Sequence, residues 1–416
     1  MKNYKIVDFN NKGRGLSAEG LSFPQTFIGD EIEGEVENKR KMRGRLLNFI
    51  TKSPIRCKAS CKHVGRCGGC AWQEIKYEEQ LKLKEGKVKK LFGDSLPIIP
   101  SPEIFFYRNR MDFSFGPDFS VGLKDRDNRV VDIEKCWLLS EESNSLTKII
   151  KQFVLDKKLE SYKDGIMRHV VIREGINTKN KVVNILTSDK GIFPLEELWK
   201  RISDIADGVV WSINLSPADR SYGDIQSFLG RDFLLEKLNG LEFKVPIQSF
   251  FQTNTKQAEK LIKIVEEFME LDGSERVIDL YSGTGSIGLS LAHMAKEVLG
   301  IEENEPAVAL SCENAKLNNI SNFSAISGRV EDVIKSQTLS SDKMVLDPPR
   351  PGIHKKVLAK IIEAKPKRIV YVSCNPESQK HDVEILIAGG YKIKKIQPLD
   401  MFPHTPHIEN IIQLDY

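Results

Sequence analysis

The chain has 416 residues, more than one ordinary hydrophobic core needs, so two or three folding units are expected. Hydrophobic residues make up 40% and charged ones 29%, a water-soluble balance, and with no run of about 18 apolar residues no membrane span is expected. A net charge of +4 is too small to make the whole surface a polycation, so attraction to a polyanion has to be local.

The opening Met1-Lys2-Asn3-Tyr4-Lys5 lacks the apolar core of a secretion signal, which predicts a cytoplasmic protein. Cytosolic thiols are kept reduced, so the seven cysteines read as ligands or nucleophiles rather than disulfide partners. Residues 1–52 form short alternating segments, Tyr4 to Phe9, Asp30 to Glu37 and Gly44 to Ile50, separated by Gly13, Gly15, Gly20 and Gly29. Such lengths and turns predict a small β-barrel, a shape that grips single-stranded nucleic acid or merely caps a neighbour. The polar tract Asn10 to Gly13 and Pro24 leave its register open. Ten Lys and Arg residues, from Lys39, Arg40, Lys41 and Arg43 through to Arg66, follow without one Asp or Glu. That run is either a solvated surface or a phosphate-binding face whose grip would fall with salt.

A second unit, residues 53–240, opens with Cys57, Cys61, Cys67 and Cys70, and Cys136 follows at a distance. Cysteines concentrated in this way predict a four-thiolate metal site, which zinc and an iron–sulfur cluster both accept. The Cys67-Gly68-Gly69-Cys70 turn lets backbone amides approach inorganic sulfide and tips the reading towards the cluster. Tyr77 to Phe92 reads as a helix of mixed charge with no further role. In Phe105 to Phe113 aromatics interleave with Arg108 and Arg110, which suits base stacking and phosphate contact, or an edge strand. His169, in a similar basic strand, reads as structural.

Beyond Asn239-Gly240 the pattern lengthens into a third unit, residues 241–416, where helices and strands alternate. Gln257 to Leu271, Ser286 to Met294 and Glu305 to Asn318 are expected as helices, Val277 to Leu280 and Glu297 to Ile301 as strands. Two further strands are expected to end at Asp347 and Cys374. This predicts an α/β, doubly wound sheet with its ligands outside the carboxyl ends of the strands. No Lys-Ser/Thr pair follows the glycines, so a phosphate loop is excluded. In Asp279-Leu-Tyr-Ser-Gly283-Thr-Gly285-Ser-Ile-Gly288 three residues separate the acid from the first glycine, a wide loop that suits S-adenosylmethionine. Glu302, at the end of the next strand, either stands where a carboxylate accepts ribose hydroxyls or is one of several solvated acids in Glu302-Glu-Asn-Glu305. The thiol of Cys374, delivered by an apolar strand, reads as a nucleophile.

The combination Phe250-Phe-Gln-Thr-Asn254, Asp279 to Gly285, Asp347-Pro-Pro-Arg350, Ser373-Cys-Asn-Pro376 and Phe402-Pro-His-Thr-Pro-His-Ile-Glu409 resembles the RNA uracil-5-methyltransferases. Cys61, Cys67, Cys70 and Cys136 are similar to the signature of that family's cluster-bearing 23S ribosomal RNA branch, and residues 1–52 to its TRAM barrel. The resemblance implies a class I S-adenosylmethionine-dependent methyltransferase (Rossmann-like) domain, preceded by a TRAM/OB-like barrel and a central cluster-bearing α+β domain. It implies a [4Fe-4S] cluster on those four cysteines, with Cys57 spare, and cofactor contacts from Gln252, Tyr281, Glu302 and Asp347. It implies Glu409 as the base that removes the carbon-5 proton after Cys374 has added to carbon 6, with Asp347 and Arg350 orienting the flipped-out base.

Two departures stand out. Ser282 replaces the Cys of many members, and Ser327-Gly-Arg329 replaces a common Gly-Asp, so the cofactor site is not extended to residues 327–331. The expected partner is RNA, 23S ribosomal RNA first, bound by a monomer. Transfer-RNA methylation and a non-catalytic RNA-binding assembly factor are the alternatives.

Overall fold

The computed structural model describes every residue except 162–164, 217, 219 and 337–340. The first unit is a closed five-stranded barrel built from Lys2–Phe9, Gly15–Ser17, Ser22–Phe23, Glu31–Asn38 and Arg43–Thr51. Its core is Tyr4, Ile6, Leu21, Phe23 and Ile32, the inward positions of the alternating pattern. The two very short strands lie in the stretch whose register the sequence left open.

A seven-stranded sheet follows, in the order Asp224–Gly230, Gly208–Ile213, Lys181–Thr187, Met167–Glu174, Arg110–Phe115, Val121–Lys124, Val130–Asp132. The helices Glu141–Asp156 and Leu195–Ile202 bury Leu146, Phe153 and Leu198 in its core. Apart from one parallel pair, Lys181–Thr187 with Gly208–Ile213, its strands run antiparallel, the α+β arrangement expected of this region.

The third sheet has the order Phe323–Ser327, Glu297–Glu302, Arg276–Leu280, Lys343–Leu346, Arg368–Ser373, Glu409–Asp415, Lys392–Leu399. The first five strands are parallel, and Glu409–Asp415 runs antiparallel between its two neighbours. Strand order reverses between Arg276–Leu280 and Lys343–Leu346, which opens a crevice at their carboxyl ends. Three of its helices begin where an asparagine caps them. Asn254 accepts from Gln257 N at 3.2 Å, Asn304 from Ala307 N at 2.9 Å and Asn375 from Glu377 N at 3.2 Å. The first helix therefore starts at Thr255 and ends at Met269, two residues earlier at each end than the sequence pattern suggests.

The helix Tyr77–Phe92, which precedes the second sheet in sequence, packs against Pro376–Ala388 of the third unit. Its Lys84 is buried and pairs with buried Asp400 at 2.5 Å, which ties this helix to the third unit. Among the described residues no helix is long and apolar enough to cross a membrane.

Candidate active site

The carboxyl ends of the third sheet, the barrel rim and the second sheet enclose one cleft of about 2210 Å³. Gln252, Tyr281, Glu302, Asp347, Cys374 and Glu409, separated by up to 157 positions in sequence, all line it.

The glycine loop leaves Leu280 through Tyr281, whose backbone is left-handed at φ +64° and whose N–H donates to Ile301 O at 2.9 Å. Gly283 follows at φ +55°, and a Cβ built there would meet open space. Gly288 is required for a different reason. A Cβ there would stand 2.8 Å from Asp279 Oδ2, which accepts from Gly288 N at 3.0 Å. The other Asp279 oxygen is buried without a partner, as is Ser282 Oγ. Burial, with Asp347 nearby, holds the Asp279 carboxyl well above the usual range. Glu302 is clamped through both oxygens, by Gly283 N at 3.0 Å and Asn304 N at 2.9 Å, which fixes a carboxylate at the mouth of the loop. Burial pushes the Asp347 carboxyl up to about 7. Arg329, Val330 and Glu331 also line the cleft, so its wall reaches into the stretch to which the sequence did not extend the site.

Cys374 follows the strand Arg368–Ser373, and Glu409 opens the strand paired beside it, with Ser373 opposite Asn410. Burial, then the Glu409 charge, pushes the Cys374 thiol up to about 11, while Arg350 acts the other way. Glu409 is 5% exposed, and burial, reinforced by Asp347, raises its carboxyl well above the ordinary value. The Arg350 carbonyl accepts from Asn375 Nδ2 at 3.1 Å and Ser378 Oγ at 2.9 Å, which ties the proline loop to the segment carrying the thiol.

Two supports were not legible in the motifs. Asn109 Nδ2 donates to Gln252 O at 2.7 Å and Thr255 Oγ1 at 3.0 Å, anchoring the Phe250 to Asn254 segment to the second sheet. His404 N donates to Gln80 Oε1 at 2.8 Å, and Trp72 N donates to His404 O at 2.9 Å. His407 lies in the stretch Phe402 to Glu409, which carries part of the resemblance but gave it no role; it too lines the cleft.

Cys61, Cys67, Cys70 and Cys136 line a small second void, which shares Cys67 and Cys70 with the main cleft. Burial, followed by the neighbouring cysteines, pushes Cys70 up to about 12, and burial holds Cys136 at about 11. Gly69 N donates to Cys67 Sγ and His63 N to Cys61 Sγ, both at 3.4 Å. Cys57 is exposed and outside the void, with its thiol directed at Gln73 O. Among the described residues no three His, Cys, Asp or Glu side chains converge to hold a single metal ion.

The basic run divides. Lys39, Arg40 and Lys41 are exposed on the hairpin turn between Asn38 and Arg43. Arg56 is instead paired with buried Asp30 at 2.6 Å and lies 4.2 Å over the Phe27 ring, and Lys62 pairs with Glu134. Arg110, grouped with Arg108 by sequence, is held bidentately by Asp112 at 2.8 and 3.0 Å.

A doubly wound sheet with a glycine loop, a clamped carboxylate and a thiol beside a buried acid defines a class I methyltransferase-type enzyme. The tRNA (uracil-5-)-methyltransferase family model matches residues 76–416, and the chain belongs to that family. It is 36% identical, over 98% of both chains, to a tRNA (uracil(54)-C(5))-methyltransferase of Pyrococcus furiosus. It is 38% identical to an uncharacterized RNA methyltransferase of Clostridium tetani, over 93% of this chain and 90% of that one. The crystal structure of the Pyrococcus abyssi tRNA (uracil-54, C5)-methyltransferase in complex with S-adenosyl-L-homocysteine superposes with a TM-score of 0.86. The identity is 32%, with 99% of this chain and 100% of that chain covered.

Proposed function

We propose that this chain methylates carbon 5 of a uridine in RNA with S-adenosylmethionine, through a covalent bond between Cys374 and carbon 6. The observation that carries the reading is that Cys374 and Glu409 open on the same cleft as the glycine loop and Glu302. The donor set fits the cofactor. Glu302 is fixed to accept ribose hydroxyls, the Gly283 backbone leaves room, and the unpartnered oxygen of Asp279 offers a further polar contact. Gln252, Tyr281 and Asp347 complete that wall. The bound cofactor supplies an electrophilic methyl group.

Cys374 attacks carbon 6 and makes carbon 5 electron-rich. Glu409, buried so that its carboxyl holds a proton more readily than usual, takes the carbon-5 proton once the methyl group is in place. Arg350 stands beside the thiol and favours its ionised form. The barrel, residues 1–52, and the cysteine-bearing unit, 53–240, grip the RNA, and residues 241–416 carry out the chemistry. Lys12, Arg14, Arg66, Arg108 and Arg126 on the cleft wall supply the positive surface that an RNA backbone requires.

Cys61, Cys67, Cys70 and Cys136 would hold the [4Fe-4S] cluster. The four cysteines line one small void, and four thiolates are the ligand set such a cluster takes. With four protein thiolates it would tie the segment around residues 61–70 to Cys136, beyond the strand Val130–Asp132 of the second sheet.

The substrate has two readings. Barrel and cysteines pointed to 23S ribosomal RNA, yet a transfer-RNA enzyme shares this architecture over 99% of the chain, which favours uridine 54 of transfer RNA equally. Incubating the protein with methyl-labelled cofactor and each RNA separates the two. With 5-fluorouridine RNA a covalent adduct that requires the cofactor is expected, and its absence with both RNAs would overturn the mechanism. The reading places a monomer in the cytoplasm.

A further inference from the structure

We propose that His407 is a further catalytic residue, donating a hydrogen bond from Nε2 to the uracil carbonyl oxygen next to carbon 5. That oxygen gathers negative charge when the Cys374 thiolate adds to carbon 6. The inference rests on the uracil-5 reading of the site and adds one group to it.

Arg350 Nη2 stands 3.3 Å from His407 Nδ1. A guanidinium has only donors, so Nδ1 must accept, and the single ring proton sits on Nε2. Burial, then the charge of Arg350, pulls His407 down to about 4, which keeps the ring neutral at physiological pH. Its backbone is held as well, since His407 N donates to Thr405 Oγ1 at 3.3 Å, and the ring stands edge-on to Phe402 at 6.2 Å. The Arg350 backbone carbonyl in turn accepts from Asn375 Nδ2 and Ser378 Oγ, residues that follow the thiol. The loop that carries Arg350 is thus tied to the segment of the nucleophile, and His407 and Cys374 line the same cleft as Glu409.

The step balances. The sulfur–carbon-6 bond forms while the carbon-5–carbon-6 pair shifts towards carbon 4 and onto its oxygen, where Nε2–H meets the charge. As the pair returns, carbon 5 takes a methyl group from the sulfonium donor, which departs as a neutral thioether. The base then removes the carbon-5 proton, and the pair from that bond expels the thiolate and restores the ring double bond. A neutral imidazole suits this step, because it stabilises the oxyanion without handing over a proton that would trap the pair on oxygen.

Three variants of the full chain test the assignment: His407→Gln, whose amide N–H reaches the place of Nε2, His407→Phe, which keeps only ring shape, and His407→Asn, whose amide reaches only the place of Nδ1. Cofactor affinity and circular dichroism establish folding, and the Asn variant stands in if the Phe variant does not fold. With saturating RNA, His407→Phe and His407→Asn are expected to lower kcat by about 10²- to 10³-fold, the scale of a missing oxyanion donor, with the KM for RNA unchanged. Adduct formation on 5-fluorouridine RNA should slow in parallel, and His407→Gln should restore most of the loss. Wild-type kcat in all three, equal losses in all three, or a loss confined to KM would each overturn the proposal. Wild-type protein that makes no 5-methyluridine would instead sink the uracil-5 reading, so the two failures are distinguishable.

Discussion

With burial foremost, and Glu409 behind it, pushing the Cys374 thiol up to about 11, the side chain is overwhelmingly the neutral thiol at pH 7. A raised thiol pKa means the reactive form grows as pH rises. Alkylation of Cys374 by iodoacetamide is therefore expected to accelerate about tenfold per pH unit from 7 upwards and to level off only near 11. A plateau by pH 8 would show that the thiol is already activated without RNA. Cys374→Ala should lose both this labelling and methyl transfer while keeping cofactor binding, because in the proposed mechanism the thiol supplies only the covalent step. Glu409→Gln should behave differently. Turnover is expected to fall by about 10²- to 10⁴-fold, the usual share of a general base, while a covalent RNA–protein species accumulates on a gel. Product release at the wild-type rate would mean that another group takes the proton. Of these residues, the thiol was legible because an apolar strand delivers it. The role proposed for His407 was not, because it depends on a contact with Arg350, 57 positions away in sequence.

Among the elements, the hairpin between Glu31–Asn38 and Arg43–Thr51 has a tip rich in positive charge that sequence grouped with Arg56, further along the same run. Composition counts charges without seeing where they point. Asp30, buried at the base of the same hairpin, captures Arg56 and turns it into part of the barrel's support. The tip itself lies near the cleft, for Arg43 and Arg126 both act on the Arg14 guanidinium, whose pKa is lowered first by burial. Replacing Lys39, Arg40, Lys41 and Arg43 together with Gln is expected to weaken RNA binding and flatten its salt dependence by about 0.7 to 0.9 in log–log slope for each phosphate no longer neutralised. Affinity for S-adenosylmethionine should not change. A salt slope equal to that of the wild type would make the tip a solvated surface. The alternating helices and strands of the third unit were legible because burial on both faces imposes an apolar run on each strand. The seven-stranded second sheet was not read strand by strand, since its strands are short or carry interrupting polar residues such as Arg110, Asp112 and Asn184.

At the scale of the molecule, Trp72 joins what the chain keeps apart. Its indole donates to Gly13 O of the barrel at 3.1 Å, and its backbone N–H to His404 O in the segment that leads to Glu409. Two residues before it, Cys70 faces the void between cysteines, so anything filling that void steadies barrel and active site together. Anaerobically purified protein is expected to be brown with about four irons per chain. One zinc and no iron would overturn the cluster. Cys67→Ser should lower Tm and RNA affinity before it changes the rate of methyl transfer from bound cofactor to bound RNA. Contacts of this kind, spanning more than 300 positions as between Gln80 and His404, leave no periodic trace for sequence to show. The insertion of Glu409–Asp415 between Arg368–Ser373 and Lys392–Leu399 also bears on how the molecule is made. Those two strands have no ladder between them until the chain beyond residue 408 emerges from the ribosome, and that stretch begins with Glu409 itself. A nascent chain carries Cys374 well before then, whereas Glu409 comes with the strand that joins the two edges, so the proposed nucleophile and base are brought side by side only by the last strand of the sheet.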